Sequence, residues 1–161
     1  MTIILVAHAT KNGSTETVAT AIAQTLDEQG CAVDLRPARE VRGPLDRWGL
    51  VVLGAPLYSG RWHRDAHRFL RRHRDALGSV PVAVFGMGPR EDDAEAWRRA
   101  RRQLDRALAR HDRVTPVVVT VFGGVDPPKR AARLGSDARD LRDWAAIRAW
   151  ALAVAALPDR G

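Results

Sequence analysis

Residues 3–15 of the chain read Ile3-Ile4-Leu5-Val6-Ala7-His8-Ala9-Thr10-Lys11-Asn12-Gly13-Ser14-Thr15. A short apolar run leads into a loop of hydroxyl, glycine and asparagine residues, and an amphipathic pattern begins at Glu16. This order predicts a buried strand, a tight turn and a helix whose first backbone N–H groups are available to a phosphate. The loop matches neither Gly-x-Gly-x-x-Gly nor Gly-x-x-x-x-Gly-Lys-Ser/Thr, which excludes the dinucleotide and Walker templates. A hydroxyl-rich loop for the phosphate of a mononucleotide remains. Ser14 has a second interpretation as a helix cap, and the sequence leaves both open.

Apolar runs alternate with helical patterns from one end of the chain to the other. The runs are rich in Val, Ile and Leu and lie at roughly 2–8, 32–36, 50–55, 80–86 and 116–122. Such runs fit strands that are buried on both faces of a parallel sheet. Helical patterns occur at 15–29, 63–77, 91–111 and 140–157, and none is visible between Asp34 and Trp48. We therefore predict a single α/β domain over residues 1–161, a three-layer α/β/α fold around a doubly wound five-stranded parallel sheet.

The helical patterns also predict the residues that face the core. In 140–157 this stripe is formed by Leu141, Trp144, Ile147 and Leu152, and Gly30 is placed to end the helix over 15–29. Segment 123–139 is the one long irregular stretch, and a loop of that length in a compact domain is often functional or mobile.

The charge of the chain favours some partners over others. The 161 residues carry a net charge of +7, and of the 26 basic residues only Lys11 and Lys129 are lysine. The arginines are spread through every segment, often beside acids as in Arg64-Asp65, which argues against nucleic acid and favours an acidic protein partner or an anionic lipid surface. No run reaches the ~20 apolar residues of a membrane span, and no signal-peptide pattern is present. The single cysteine, Cys31, is interpreted as a small apolar residue, and we expect a cytoplasmic location.

Two further loops follow apolar runs and carry residues suited to a flat ligand. The first reads Gly54-Ala55-Pro56-Leu57-Tyr58-Ser59-Gly60-Arg61-Trp62-His63, and the second Phe85-Gly86-Met87-Gly88-Pro89-Arg90. Tyr58 and Trp62 can form the walls of a heteroaromatic site, although Trp62 can equally cover the core. Glycine on both sides of Met87 lets the backbone approach a ring closely, or simply makes a turn.

These residues resemble the flavodoxin-like family, most closely its branch of menaquinone-dependent protoporphyrinogen IX dehydrogenases. Residues 9–15 are similar to the phosphate loop of that branch, and residues 54–63 with Phe69, Leu70 and His73 are similar to its second loop and helix. Asp143-Trp144, at the start of an apolar helix, is a further similarity. The chain departs from the branch in segment 123–139, which is short, polar and Arg-rich instead of long and aromatic.

The resemblance implies a sheet order of 2-1-3-4-5 and non-covalently bound FMN. It places the phosphate on Thr10, Lys11, Asn12, Gly13, Ser14 and Thr15. It places the ring against Ala55, Pro56, Leu57, Tyr58, Gly60, Trp62, Gly86, Met87 and Gly88. It further implies an oxidoreductase or electron-transfer flavoprotein that acts on a redox partner or on a small molecule such as a porphyrinogen or a quinone. Since the flavin carries the electrons, no catalytic side chain and no metal ligand are expected.

Two other functions fit a fold of this kind. One is a module without FMN that binds an acidic protein, against which the three hydroxyl residues and Gly13 argue. The other is a phosphorylated receiver domain, which needs acidic residues at strand ends. Positions 7–9 and 54–56 contain no Asp or Glu, so the receiver function is excluded.

Overall fold

Five parallel strands form the centre of the structure, a computed structural model that describes residues 2–158. The strands are β1 (Ile3–His8), β2 (Ala32–Pro37), β3 (Leu50–Tyr58), the two-residue β4 (Arg61–Trp62), β5 (Val82–Met87) and β6 (Val118–Phe122). The helices are α1 (Ser14–Glu28), α2 (Arg64–Arg72), α3 (Ala94–Ala109), α4 (Pro128–Leu134) and α5 (Trp144–Ala155). The alternation of strand and helix predicted from the apolar runs is confirmed.

The sheet order is β2-β1-β3-β5-β6, and the short β4 pairs antiparallel with β3. For the five long strands this is the predicted order 2-1-3-4-5. The chain leaves β1 toward one edge and returns through β3 toward the other edge, so the direction of winding changes between these two strands. In open sheets of this kind, ligands bind beyond the carboxyl ends of the strands at this switch point.

The two faces of the sheet have separate cores because successive side chains of a strand point to opposite faces. On one face, Leu5 and Leu53 pack beneath α2 and α3. On the other face, Ile4 and Val52 pack beneath α1 and α5. This arrangement confirms the three-layer architecture.

The connection from β2 to β3 contains no α-helix, as predicted, and only a 3-10 turn at Ala38–Glu40. Side-chain hydrogen bonds hold this connection in place of helix packing. The Trp48 indole N–H donates to Asp34 Oδ2 at 2.8 Å, and His73 Nε2 of the neighbouring layer lies 2.9 Å from the Val41 carbonyl oxygen.

Several predicted helix bounds were wrong, among them those of the last helix, which was predicted over 140–157 and spans Trp144–Ala155, so that Leu141 lies before it. The helix predicted over 63–77 ends at Arg72 and is followed by a 3-10 turn at Ala76–Gly78. The helix predicted over 91–111 begins only at Ala94, because the Asp93 side chain accepts the N–H of Ala96 at 2.8 Å and caps it. Segment 123–139, predicted to be irregular, contains α4, with proline in its first turn.

The predicted inner stripe of the last helix was also partly wrong. Trp144 and Leu152 are exposed, with 44% and 38% of their surface accessible, and the buried residues are Ile147, Ala151 and Val154. These three follow the i, i+4, i+7 spacing of one helix face, from which Leu152 is displaced by one residue. Within residues 2–158, no helix combines the length and the apolar character needed to cross a bilayer.

Candidate functional site

The loop after β1 folds as a tight turn that delivers the start of α1. The Gly13 N–H donates to Thr10 Oγ1 at 2.8 Å. Gly13 has a φ of 89°, in the left-handed region where a side chain is strained. The turn therefore depends on a hydroxyl at position 10 and on glycine at position 13.

The N-terminus of α1 has no side-chain cap. Ser14 is the first helical residue, Gly13 occupies the cap position, and no side chain among the described residues caps the helix. The capping interpretation of Ser14 is therefore wrong. The first N–H groups of a helix have no intrahelical acceptor and carry partial positive charge, which makes this end of α1 suited to an anion.

Two buried polar atoms lie beside this turn without a hydrogen-bond partner among residues 2–158. They are Oγ1 of Thr15, which is fully buried, and Nδ1 of His8, the last residue of β1. Burial lowers the pKa of His8, so its imidazole is neutral at neutral pH. An unsatisfied buried hydroxyl costs stability, and such groups are uncommon unless a ligand or water uses them.

The loop after β3 is a two-residue hairpin. Tyr58 pairs with Arg61 and Leu57 pairs with Trp62, so Ser59 and Gly60 form the turn, with φ values of 51° and 73°. Positive φ at both turn positions matches the twist of short hairpins. The hairpin holds the Tyr58 ring beneath Lys11, whose ammonium group lies 4.6 Å from the ring centre.

Packing requires glycine at Gly86, near the end of β5, and at Gly88 in the loop after it. A methyl group added to Gly88 would lie 2.8 Å from the Ala100 side chain, and one added to Gly86 would lie 3.2 Å from Leu104. The Gly88 N–H donates to the Phe122 carbonyl at 2.9 Å, and the Gly124 N–H donates to the Pro89 carbonyl at 2.7 Å. These bonds join the loop after β5 to the segment after β6.

The four strand ends enclose a cavity of about 540 Å³, called the switch-point cavity below. Its volume lies in the range of small-molecule sites, about 300–1,000 Å³. Eight of the predicted site residues line it: Lys11, Asn12, Ser14, Pro56, Leu57, Tyr58, Met87 and Gly88. Among the described residues, its charged lining groups are Lys11, Arg90 and Lys129, with no carboxylate, so the cavity favours an anionic ligand.

The other predicted site residues lie outside the lining: Thr10, Gly13, Thr15, Ala55, Gly60, Trp62 and Gly86. Thr10 and Gly13 shape the turn, and Thr15 is buried in the first turn of α1. Trp62 is in the core, only 3% exposed, and its indole N–H donates to the Ala55 carbonyl at 3.1 Å. Its burial agrees with the core-covering interpretation.

One wall of the cavity was not among the predicted site residues. It is formed by Gly124, Val125, Pro127, Pro128 and Lys129. Its position is fixed by Asp126, which is buried, accepts the Arg139 N–H at 2.7 Å and pairs with Arg130 at 3.3 Å. The available signal was the irregular segment after the last apolar run, which contains Pro127-Pro128-Lys129. In residues 2–158, no group of three or more His, Cys, Asp or Glu side chains could hold a metal ion.

Comparison with known families gives a match to the flavodoxin domain over residues 5–130. The chain belongs to the flavodoxin domain family. The matched region includes the three loops and the 124–129 wall, and therefore every residue that lines the switch-point cavity of this flavodoxin domain.

Solved structures agree with this assignment at the level of the fold. Oxidised flavodoxin 2 from Bacillus cereus superposes with a TM-score of 0.64 at 24% identity and covers 94% of this chain and 97% of its own. Rubredoxin oxygen:oxidoreductase from Desulfovibrio gigas superposes with a TM-score of 0.62 at 15% identity, over 98% of this chain and 36% of its own.

Among curated proteins, the protoporphyrinogen IX dehydrogenase [quinone] of Escherichia coli K12 is 27% identical over 84 residues. The alignment covers 52% of this chain and 46% of that enzyme. The chain thus matches about half the length of this relative.

Proposed function

We propose that this flavodoxin domain binds FMN in the switch-point cavity and acts as an FMN-dependent oxidoreductase or electron carrier. The observation that carries the proposal is the N-terminus of α1, which within residues 2–158 has neither a side-chain cap nor a partner for the buried hydroxyl of Thr15 in its first turn. A helix end without a cap and a hydroxyl without a partner both lack hydrogen bonds that a phosphate would supply. Membership of the flavodoxin domain family supports a flavin as the bearer of that phosphate.

The residues divide between the two ends of such a ligand. Ser14, Thr15 and the first N–H groups of α1 would hold the phosphate, with Lys11 and Lys129 adding positive charge. Pro56, Leu57, Tyr58 and Met87 offer apolar and aromatic surface to a ring. FMN supplies the chemistry when bound, because it accepts and gives up one or two electrons. The chain's own residues then position the ring and exclude water, and none is required as an acid or a base.

The test is an absorption spectrum of the purified protein before and after incubation with FMN and removal of the excess. The proposal predicts flavin bands at about one FMN per chain. A protein that remains colourless would contradict it and would favour a module without FMN that binds an acidic protein partner.

A narrower proposal concerns the reaction. The partial match to the protoporphyrinogen IX dehydrogenase [quinone] of Escherichia coli supports oxidation of a porphyrinogen with a quinone as acceptor. The assay follows porphyrin fluorescence with FMN-loaded protein and a soluble quinone. Turnover above that of free FMN is expected, and turnover equal to that of free FMN would exclude this substrate while leaving FMN binding unaffected. We also propose a cytoplasmic location and an acidic redox partner, the latter because the net charge is +7.

A further inference from the structure

A second pocket lies between the β3–β4 hairpin, α2 and α3, with a volume of about 490 Å³. Five arginines line it: Arg61, Arg64, Arg71, Arg106 and Arg110. They come from β4, from α2 and from α3 with the residue that follows it, Arg110, and they meet only in the folded structure. We call this site the arginine pocket.

None of the five arginines forms an ion pair with a carboxylate within residues 2–158. Their neighbours on the same helices differ. Arg68 of α2 lies 3.9 Å from Asp65, and Arg101 of α3 hydrogen-bonds Asp105 at 3.0 Å. No carboxylate is among the described lining residues of the pocket. The positive charge gathered here is therefore not neutralised by the protein.

The floor of the pocket consists of buried side chains in fixed positions. Trp62, His67 and Ala107 are each less than 9% exposed. His67 Nδ1 lies 2.8 Å from His111 Nε2, so one ring nitrogen donates and the other accepts. Burial, with the nearby positive charges of Arg110 and Arg71 and that of His111 when it is protonated, lowers the pKa of His67 to about 4. The histidines are neutral at neutral pH, and the arginines alone provide the charge above a fixed floor.

A smaller cavity lies between the arginine pocket and the switch-point cavity and shares lining residues with each. Gly60 and Gln103 line both the arginine pocket and a smaller cavity of about 230 Å³. Leu57, Tyr58 and Gly88 line both that smaller cavity and the switch-point cavity. A molecule whose one end lies in the arginine pocket can therefore extend past the hairpin turn toward the Tyr58 ring.

We propose that the arginine pocket binds a small molecule with two or more negative charges, carried on phosphate or carboxylate groups, and anchors the anionic end of the molecule that reacts in the switch-point cavity. Planar guanidinium groups bind both kinds of anion through paired hydrogen bonds. An open, concave pocket of about 490 Å³ fits a small anionic group better than a flat protein surface. The second half of the proposal rests on the proposed flavin function, whereas anion binding itself does not.

The experiment is a calorimetric titration at fixed ionic strength with pyrophosphate, tricarballylate and a hexaglutamate peptide, on protein saturated with FMN. The pocket variant is Arg106→Gln with Arg110→Gln, and a second pair, Arg61→Gln with Arg71→Gln, alters the opposite side. The control is Arg42→Gln with Arg148→Gln, which removes the same charge from exposed positions outside the pocket. All six side chains belong to exposed residues, so folding should persist, and circular dichroism verifies it.

The proposal predicts that each pocket pair lowers the affinity for the more tightly bound of the two small anions at least about tenfold, since hydrogen bonds between charged groups are strong. The control pair should change the affinity for the same anion less than about twofold. The tighter anion identifies phosphate or carboxylate as the ligand chemistry. Equal weakening by pocket and control pairs would overturn the proposal in favour of general charge attraction. Binding of hexaglutamate alone would overturn it in favour of an acidic protein.

The FMN affinity of the same variants separates this proposal from the proposed function. Loss of anion binding with unchanged FMN affinity is the expected result. If the wild type does not bind FMN, the proposed function fails, but the comparison of pocket and control pairs still decides whether the anion site exists.

Discussion

The Lys11 ammonium group lies 4.6 Å from the centre of the Tyr58 ring, and this contact joins the loop after β1 to the hairpin after β3. It connects the end of the cavity assigned to a phosphate with the end assigned to a ring. A cation over an aromatic face is attracted by the ring quadrupole. The two loops, which are far apart in sequence, are thus held together across the switch point of the sheet.

Replacement of Tyr58 by leucine should lower the affinity for FMN about threefold to tenfold, because an aromatic contact is worth roughly 0.5–1.5 kcal/mol beyond its buried area. Tyr58→Phe, which keeps the ring, should change the affinity less than about twofold. Quenching of FMN fluorescence measures both. Equal affinities for the leucine and phenylalanine variants would show that the ring does not contact the flavin.

Thr15→Val should change the FMN affinity and the stability of the FMN-free protein in opposite directions. The Thr15 hydroxyl is buried without a partner within residues 2–158, so its removal should raise the free energy of unfolding of the FMN-free protein by about 1 kcal/mol. The same change should weaken FMN binding about tenfold, since a hydrogen bond to the phosphate is lost.

Thr25→Val is the matched control on the same helix. Thr25 is also buried, but its hydroxyl donates to the Ala21 carbonyl at 3.0 Å. This variant should keep its FMN affinity and lose about 1 kcal/mol of stability. Urea unfolding and FMN titration provide the two measurements, and a Thr15→Val protein that binds FMN as tightly as the wild type would contradict the phosphate assignment.

Trp62→Ala should act mainly on folding. The side chain is 3% exposed and its N–H satisfies the Ala55 carbonyl, so truncation should cost about 3–5 kcal/mol of unfolding free energy. Trp62→Phe should recover most of that loss. At a temperature where it is folded, Trp62→Phe should bind FMN more tightly than Tyr58→Leu, and the reverse order would place the indole, not the phenol, against the ring.

Acidification should destabilise the protein below about pH 6.5. Burial lowers the pKa of His67 to about 4, from an ordinary value of 6.5, and also lowers the pKa values of His111 and His73. The unfolded chain binds these protons more readily than the folded protein. The contribution of the neutral histidines to the free energy of unfolding is therefore fully present above pH 6.5 and is lost progressively as the pH falls toward 4. The His67 shift alone corresponds to about 3 kcal/mol.

Urea unfolding at several pH values measures how the free energy of unfolding depends on pH. Replacing both His67 and His111 by glutamine should make this dependence less steep between pH 6.5 and 4, with His73, His8 and His63 providing the remainder. Lys129→Gln, which removes a charge from the switch-point cavity, should leave it unchanged. An equally steep slope in the double histidine variant would contradict the assignment.

Local signals were sufficient for the five long strands and the turn after β1, whereas the sheet order came from the family resemblance. Trp62 could not be assigned from sequence because an aromatic residue after a strand serves equally as a wall or as core. Pairing decides it: Trp62 lies opposite Leu57, and cross-strand partners share a face. Lys129 is more than 100 residues from Lys11 in the sequence, and only the packing of the segment after β6 brings both to one cavity.

The arginines show the same limit. In the sequence, Arg64 stands beside Asp65 and looks neutralised, but in the structure Asp65 pairs with Arg68, and Arg64 lines the arginine pocket. Gly54 is a further case, since nothing in the sequence indicates that the Phe85 ring occupies the space where its side chain would lie. Such contacts depend on how strands and helices are aligned with one another in the folded structure, which composition and periodicity do not specify.

The most direct test of the central claim is a side-by-side titration of the wild-type protein with FMN and with riboflavin. The two ligands share the ring and differ in the phosphate that the N-terminus of α1 is proposed to hold. We predict one FMN per chain, bound at least about a hundredfold more tightly than riboflavin, since several charge-assisted hydrogen bonds are involved. Equal affinity for the two ligands, or binding of neither, would contradict the account.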